Sequence, residues 1–224
     1  STEPLTQPEL EDVVLQTYPM LRKFVPGILA VHRRLSQMGN NPALMSRGRS
    51  VMDRQMNLRD LLKWCRRLRE CLLTAGSTSG DEPISETTRD WMFMEALDCF
   101  VGSCPDIELG KSLVYAIAEE MHMSKERADH YLSANIPPLE ESDLSFRIGR
   151  AQLRKKRTTR LQKSKRPFAS TAHAKRLLEQ IAVAVKLQEP VLLVGETGIG
   201  KTTVVQQLAE SLGHKLIAVN LSQQ

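Results

Sequence analysis

Eight consecutive residues, Gly195-Glu196-Thr197-Gly198-Ile199-Gly200-Lys201-Thr202, concentrate more potential chemistry than any other stretch of the chain. They satisfy G-x-x-x-x-G-K-[ST] at every fixed position, the spacing of a loop that cradles nucleoside triphosphate phosphates. That chemistry depends on backbone more than on side chains. Glycines let the chain turn tightly enough for successive amide N–H groups to point inward as an anion nest. A helix beginning near Lys201 adds its free N–H groups and positive dipole end. Lys201 is placed to reach the β and γ phosphates of ATP, and the Thr202 hydroxyl to complete a Mg²⁺ shell. Glu196 and Thr197 read as spacers of the loop rather than as catalysts.

Such a loop needs a strand to enter it and a helix to leave it. Val191 to Val194 is a short apolar run that predicts the strand, and Lys201 to Leu212 is amphipathic. Leu216 to Val219 predicts a second strand. Hydrolysis asks for more: an acid on a later strand to hold Mg²⁺, and a group that orients the attacking water. The 22 residues after Thr202 contain one acid, Glu210, and it falls on the helix. The expectation is a chain that binds nucleotide without turning it over alone.

The preceding sequence is helical in pattern. Apolar residues recur at helical spacing through Leu10, Val13 and Val14, then through Leu21, Val25, Ile28, Val31 and Leu35, with a break near Pro19 or Pro26. Gly39 to about Val51 reads as a loop. Asn57 is a good N-cap for a helix over 58–73, with Leu58, Leu61, Leu62, Cys65 and Leu68 on one face and Arg66, Arg67 and Arg69 turned outward. Helices are also expected over 86–101, 107–122, 124–134 and 172–187. Leu144, Phe146 and Ile148 alternate with polar residues as a half-buried strand would. The fold class is therefore mainly α with a partial α/β phosphate-loop unit. The expected organisation is a helical module over 1–135, a strand and basic connector over 136–167, and an incomplete phosphate-loop domain over 168–224.

The net charge of +5 is local in origin. Ten basic residues lie between Leu144 and Pro167: Arg147, Arg150, Arg154, Lys155, Lys156, Arg157, Arg160, Lys163, Lys165 and Arg166. No acid interrupts them. The run reads either as a solvated connector or as a contact for RNA phosphates through 147–166. Without an aromatic inside it, base stacking is not expected. Cys65, Cys71, Cys99 and Cys104 form no Cys-x-x-Cys pair and have no histidine at zinc-like spacing, so reduced, mostly buried thiols are expected. His214 reads as a surface or capping residue. No apolar run approaches the roughly 20 residues that span a bilayer, and no membrane partner is expected.

EPVLLVGETGIGKTTVVQQLAESLGHKLIAVNLSQQ, from Glu189 onward, closely resembles the second AAA+ module of the midasin family, dynein-related ATPases of large ribosomal subunit assembly. NLRDLLKWCRRL (57–68) and MEALDCF (94–100) resemble the helical lid that closes the family's first module. The resemblance implies a piece spanning a module boundary, with ATP and Mg²⁺ as cofactors. It further implies the parent chain's other AAA+ modules, the pre-60S particle and its assembly factors as partners, chaperone-like remodelling as the activity, and the nucleus, both nucleolus and nucleoplasm, as the location. Arg59, in Leu58-Arg59-Asp60, matches the sensor 2 arginine that reads a γ-phosphate in AAA+ lids. A solvated surface arginine is the alternative. The second module's Mg²⁺-binding acid, arginine finger and lid do not match anything here. The competing reading of the whole chain is a non-enzymatic RNA- or protein-interaction module with a vestigial phosphate loop.

Overall fold

The computed structural model describes residues 5–39, 57–77, 80, 82–102, 104, 106–156, 170–196, 198 and 200–219. Most of the loop expected after Gly39 lies outside them, as do Thr197, Ile199 and the basic residues from Arg157 to Arg166. The chain divides into two compact units, residues 1–133 and 134–224.

The first unit is helical: α1 (Gln7–Thr17), a 3₁₀ turn (Pro19–Phe24), α2 (Val25–Gly39), α3 (Leu58–Thr74), α4 (Glu86–Phe100), α5 (Ile107–Glu120) and α6 (Lys125–Asp129), closed by a π-turn (His130–Ala134). Side-chain caps set the helix starts. The Glu9 carboxylate accepts from the Thr6 N–H and hydroxyl, each at 2.7 Å. Asn57 Oδ1 accepts from the Asp60 N–H at 3.1 Å, Ser85 Oγ from Thr88 at 3.1 Å, and Asp106 Oδ1 from Leu109 at 2.9 Å. Each satisfies an N–H that has no intrahelical acceptor. Tyr18 and Pro19 divide the first helical stretch, where proline supplies no N–H to continue α1.

The core of this unit gathers Leu21, Leu35, Leu61, Trp64, Leu68, Leu72, Phe93 and Ile117, and the Trp64 and Phe100 rings meet edge to face at 5.3 Å. Arg67 departs from the outward position expected of it. It is 5% exposed, with Nη1 2.8 Å from Glu95 Oε2 and 3.7 Å from Asp98 Oδ2. The acids that pair it sit on α4, beyond the reach of the α3 pattern that placed it outside.

The second unit holds β1 (Leu139–Glu141), β2 (Ser145–Ile148), β3 (Ala151–Arg154), α7 (Ala172–Lys186) and α8 (Lys201–Leu212). The strands form an antiparallel sheet in the order β1-β2-β3, with Phe146 opposite Leu153 and Ile148 opposite Ala151. Phe146 and Ile148 are buried against Leu178, Ile181 and Ala182 of α7 and Val204, Leu208 and Leu212 of α8. Leu144 does not share their face: it stands in the preceding turn and is 62% exposed. Within the segment expected to be one strand and a connector, residues 139–154 thus form a three-stranded meander. Residues 191–194 and 214–219 follow the expected chain order but run as unpaired chain, with Leu192 87% and Ile217 77% exposed. A strand is defined by its neighbours, and the described residues supply none to either segment.

Candidate functional site

The phosphate-loop sequence ends on α8, where Gly200 takes the left-handed conformation at φ +86° and caps the helix. Gly198 is also left-handed, at φ +93°. A Cβ at either position would meet nothing within 4 Å, so the requirement there is conformational and not steric. The turn hands the chain into a 12-residue helix whose first N–H groups have no intrahelical acceptors. Val204 donates back to the Gly200 carbonyl at 3.0 Å, fixing the start of the first turn.

Lys201 reaches back across the loop. Its Nζ donates to the carbonyls of Gly195 at 2.7 Å and Glu196 at 2.6 Å. Two of its three hydrogens tie down the loop's first residues, and the third is a further charged donor. Thr202 is exposed on the first helical turn, beside the same N–H groups. A helix N-terminus, an ammonium and a hydroxyl thus lie within three consecutive residues, Gly200 to Thr202, and these residue types fit a triphosphate and its Mg²⁺. Among the described residues no cluster of three or more His, Cys, Asp or Glu could hold a metal by itself, so an ion here would need oxygen ligands from the nucleotide. Glu196 is exposed and Glu210 lies on α8. His214 follows Gly213, the left-handed residue that ends α8, and its N–H donates to the Ala209 carbonyl at 2.8 Å.

Arg59 occupies the first turn of α3, in the other unit, and is exposed; among the described residues it makes no hydrogen bond or ion pair. Its neighbours Asn57 and Asp60 are engaged in capping the helix.

The described part of the basic run is largely matched by acids. Arg147 Nη1 lies 3.8 Å from Glu140 Oε2, Lys155 Nζ 2.5 Å from Glu141 Oε1, and Arg150 Nε 3.2 Å from Glu179 Oε1. The acids come from β1 and α7, so an acid-free run in sequence is not acid-free in space. Arg150 and Glu179 are both buried, and Glu179 Oε1 also accepts the Arg150 N–H at 2.9 Å. The pair joins the β2–β3 turn to α7, while the Lys156 N–H donates to Leu212 O at the end of α8 at 2.8 Å. Sequence reasoning missed Glu179; its signal was a lone acid among Leu178, Ile181 and Ala182 on an apolar face.

Other reactive groups are quiet. Burial pushes the Cys65 and Cys99 thiols up to about 12, and it depresses the His32 imidazole, with Asp60 opposing. No helix among the described residues is long and apolar enough to cross a membrane.

Two protein families match separate stretches of the chain. The midasin AAA lid domain family matches residues 9–124, and the dynein-related subfamily of AAA domains matches residues 190–224. A midasin of Dictyostelium discoideum is 33% identical over 194 residues, covering 76% of this chain. A midasin of Giardia intestinalis is 57% identical over 54 residues, covering 24% of it. The chain spans 3% and 1% of the lengths of those two relatives.

Proposed function

As the chain belongs to the midasin family, and holds a lid domain followed by the start of an AAA ATPase module, we propose that the loop 195–202 binds ATP with Mg²⁺. The observation that carries this reading is the Lys201 ammonium, held across the loop on the Gly195 and Glu196 carbonyls beside a left-handed Gly200 and a free helix N-terminus. In this reading Gly195, Glu196, Thr197, Gly198, Ile199 and Gly200 present backbone N–H groups to the phosphates, Lys201 meets the β and γ phosphates, and Thr202 ligates Mg²⁺. Mg²⁺, which Thr202 would help to hold, would offset the negative charge of the phosphates. Lys201 and the loop amides account for holding nucleotide, and Glu210, the one acid in the 22 residues after Thr202, lies on α8 and not at a strand end. Arg59 is the sensor 2 residue for the γ-phosphate of the preceding module. The parent protein, with its further AAA modules, uses ATP to remodel precursors of the large ribosomal subunit and their assembly factors in the nucleolus and nucleoplasm.

Binding of a fluorescent ATP analogue tests the site. The chain should bind it in the presence of Mg²⁺, Lys201→Ala should abolish binding, and neither protein should release phosphate above background. Equal binding by both would favour the vestigial-loop reading. Steady phosphate release that vanishes in Lys201→Ala would show that the chain needs no further acid. For the wider role, the tagged parent protein should co-sediment with nuclear large-subunit precursors. Its absence from those fractions counts against that role.

A further inference from the structure

The turn between β1 and β2 carries a hydroxyl that nucleotide binding does not use. Ser142 is exposed there, flanked by the exposed acids Glu140, Glu141 and Asp143. Its N–H donates to the Ser145 carbonyl at 2.9 Å and closes the turn. Its Oγ accepts the Ser145 N–H at 3.1 Å and lies 2.9 Å from the Ser145 hydroxyl. Along β2, Phe146 and Ile148 face the core, so Ser145 and Arg147 take the outer face. Arg154 on β3 is paired directly opposite Ser145 and is exposed. Ser142, Ser145 and Arg154 therefore form a row across the end of the sheet. Beside that row Arg147 answers Glu140, and Lys155 answers Glu141. Among the described residues Arg154 has no acid of its own.

We propose that Ser142 is a phosphorylation site for an acid-directed serine kinase, and that Ser145 and Arg154 hold the phosphate once it is attached. Glu140, Glu141 and Asp143 supply the charge pattern that the basic substrate groove of such a kinase reads. β1 can present it, because this strand is three residues long, exposed throughout and at the edge of the sheet. Peeling it back costs few contacts and leaves Phe146 and Ile148 in the core. In the transfer the Ser142 oxygen bonds to the γ-phosphorus of ATP. The bond from that phosphorus to the ADP oxygen breaks, ADP leaves with its electron pair, and the hydroxyl proton passes to the kinase's base. The product carries a charge of about −1.5 to −2. Its oxygens accept what Oγ accepts now, the Ser145 N–H and hydroxyl, and its charge draws in the Arg154 guanidinium. Only the 3.4 Å donation from Ser142 Oγ to the Ser145 carbonyl is given up. Arg147 and Lys155 already offset Glu140 and Glu141, which leaves Asp143 as the main opposing charge. The phosphate therefore clamps the turn to β3.

The whole 224-residue chain, incubated with ATP, Mg²⁺ and acid-directed serine kinases of the casein and polo types in turn, tests this. Fragment mass spectrometry should place one phosphate on Ser142 with at least one of them, and none there in Ser142→Ala. Glu141→Gln combined with Asp143→Asn should slow the transfer by about fivefold, as the loss of two exposed charge contacts would. Phosphorus NMR then reads the environment of the product. A phosphoserine in water takes up its second proton at about pH 6. In the folded chain that midpoint should lie lower, because a neighbouring cation favours the dianion. It should return towards the solution value in Arg154→Gln and in urea. No phosphate on Ser142 with either kinase would overturn the site, and so would transfer indifferent to the two acids. A midpoint at or above the solution value, unmoved by Arg154→Gln, would overturn the clamp, since the flanking acids would then dominate.

Discussion

Glu179→Ala should destabilise the second unit and spare the first. Glu179 is 2% exposed and its Oε1 holds the Arg150 N–H at 2.9 Å and Nε at 3.2 Å. The carboxylate also fills the space over the β2–β3 turn: a Cβ on Gly149, at φ +49°, would stand 2.0 Å from Oε1. Removing the acid takes the Oε1 acceptor away from a guanidinium with a side-chain exposure of 3%. Breaking one side of a buried pair costs about 3–5 kcal/mol, a large part of the roughly 5–15 kcal/mol that holds a domain together. At about 4–8 °C per kcal/mol for a unit of this size, the melting transition should fall by about 12 °C or more. Exchange mass spectrometry would read each unit separately, with β2, β3 and α7 losing protection while α3 and α4 keep theirs. Arg150→Met combined with Glu179→Leu should recover most of the loss, because an apolar pair of similar volume carries no desolvation penalty. A Glu179→Ala cost below about 1 kcal/mol would refute the reasoning, placing the pair with solvent-screened surface bridges.

Four further outcomes follow from the same geometry. His32 is buried with both ring nitrogens lacking a hydrogen-bond partner among the described residues, and its folded pKa lies below the ordinary 6.5. The unfolded chain then binds the proton more readily, so the first unit loses stability as pH falls through about 6.5 towards the folded value; His32→Leu should flatten that slope in urea unfolding between pH 7.5 and 5. Iodoacetamide at pH 8 should label Cys65 and Cys99 at least roughly tenfold faster after denaturation than before, since only the thiolate reacts. Arg67→Met should destabilise α3 and α4 by about 3–5 kcal/mol by removing the guanidinium 2.8 Å from the buried Glu95, read as lost exchange protection. Any RNA binding should weaken steeply with salt, and Arg147→Gln should leave it unchanged because Glu140 already pairs that charge, whereas loss of affinity in Arg147→Gln would place the sheet in the contact.

Local signals were legible and cross-element ones were not. Asn57, Ser85, Asp106 and Thr171 each cap a helix as their residue types suggest, and the spacing of Leu61, Cys65 and Leu68 locates the buried face of α3. Arg67 belongs to that face as well. Helical periodicity alone grades an arginine as solvent-facing, and only Glu95 and Asp98 on a separate helix reverse that. β1 was invisible because Leu139-Glu140-Glu141 is exposed on both faces and carries no apolar alternation. Its place in the sheet comes from pairing with β2, and its acids answer Arg147 and Lys155 there. The eight residues of the phosphate-loop motif were legible at once, since their spacing is itself the signal, whereas the hydrogen bond from the Tyr131 hydroxyl to Asp90 joins ordinary residues 41 positions apart.

The contrast between the loop and its flanking segments shows which part of a phosphate site is local. Gly198 and Gly200 are left-handed, Lys201 folds back on the carbonyls of Gly195 and Glu196, and α8 starts, all with no strand paired at 191–194. Every one of those contacts spans six residues or fewer, so short-range sterics and hydrogen bonds suffice to build them. A parallel strand has no such self-sufficiency: its N–H and C=O groups bond only to chains on either side, and its side chains are covered from both faces. Val194 and Val219, 82% and 75% exposed, meet neither condition among the described residues. Their apolar character is therefore a requirement for partners and not a mark of present structure. Exchange over 191–194 and 214–219 should be fast while 201–212 is protected, and it should slow when the rest of an AAA module is supplied. Slow exchange over 191–194 in the 224-residue chain, equal to that of α3, would mean that the strand forms without those neighbours.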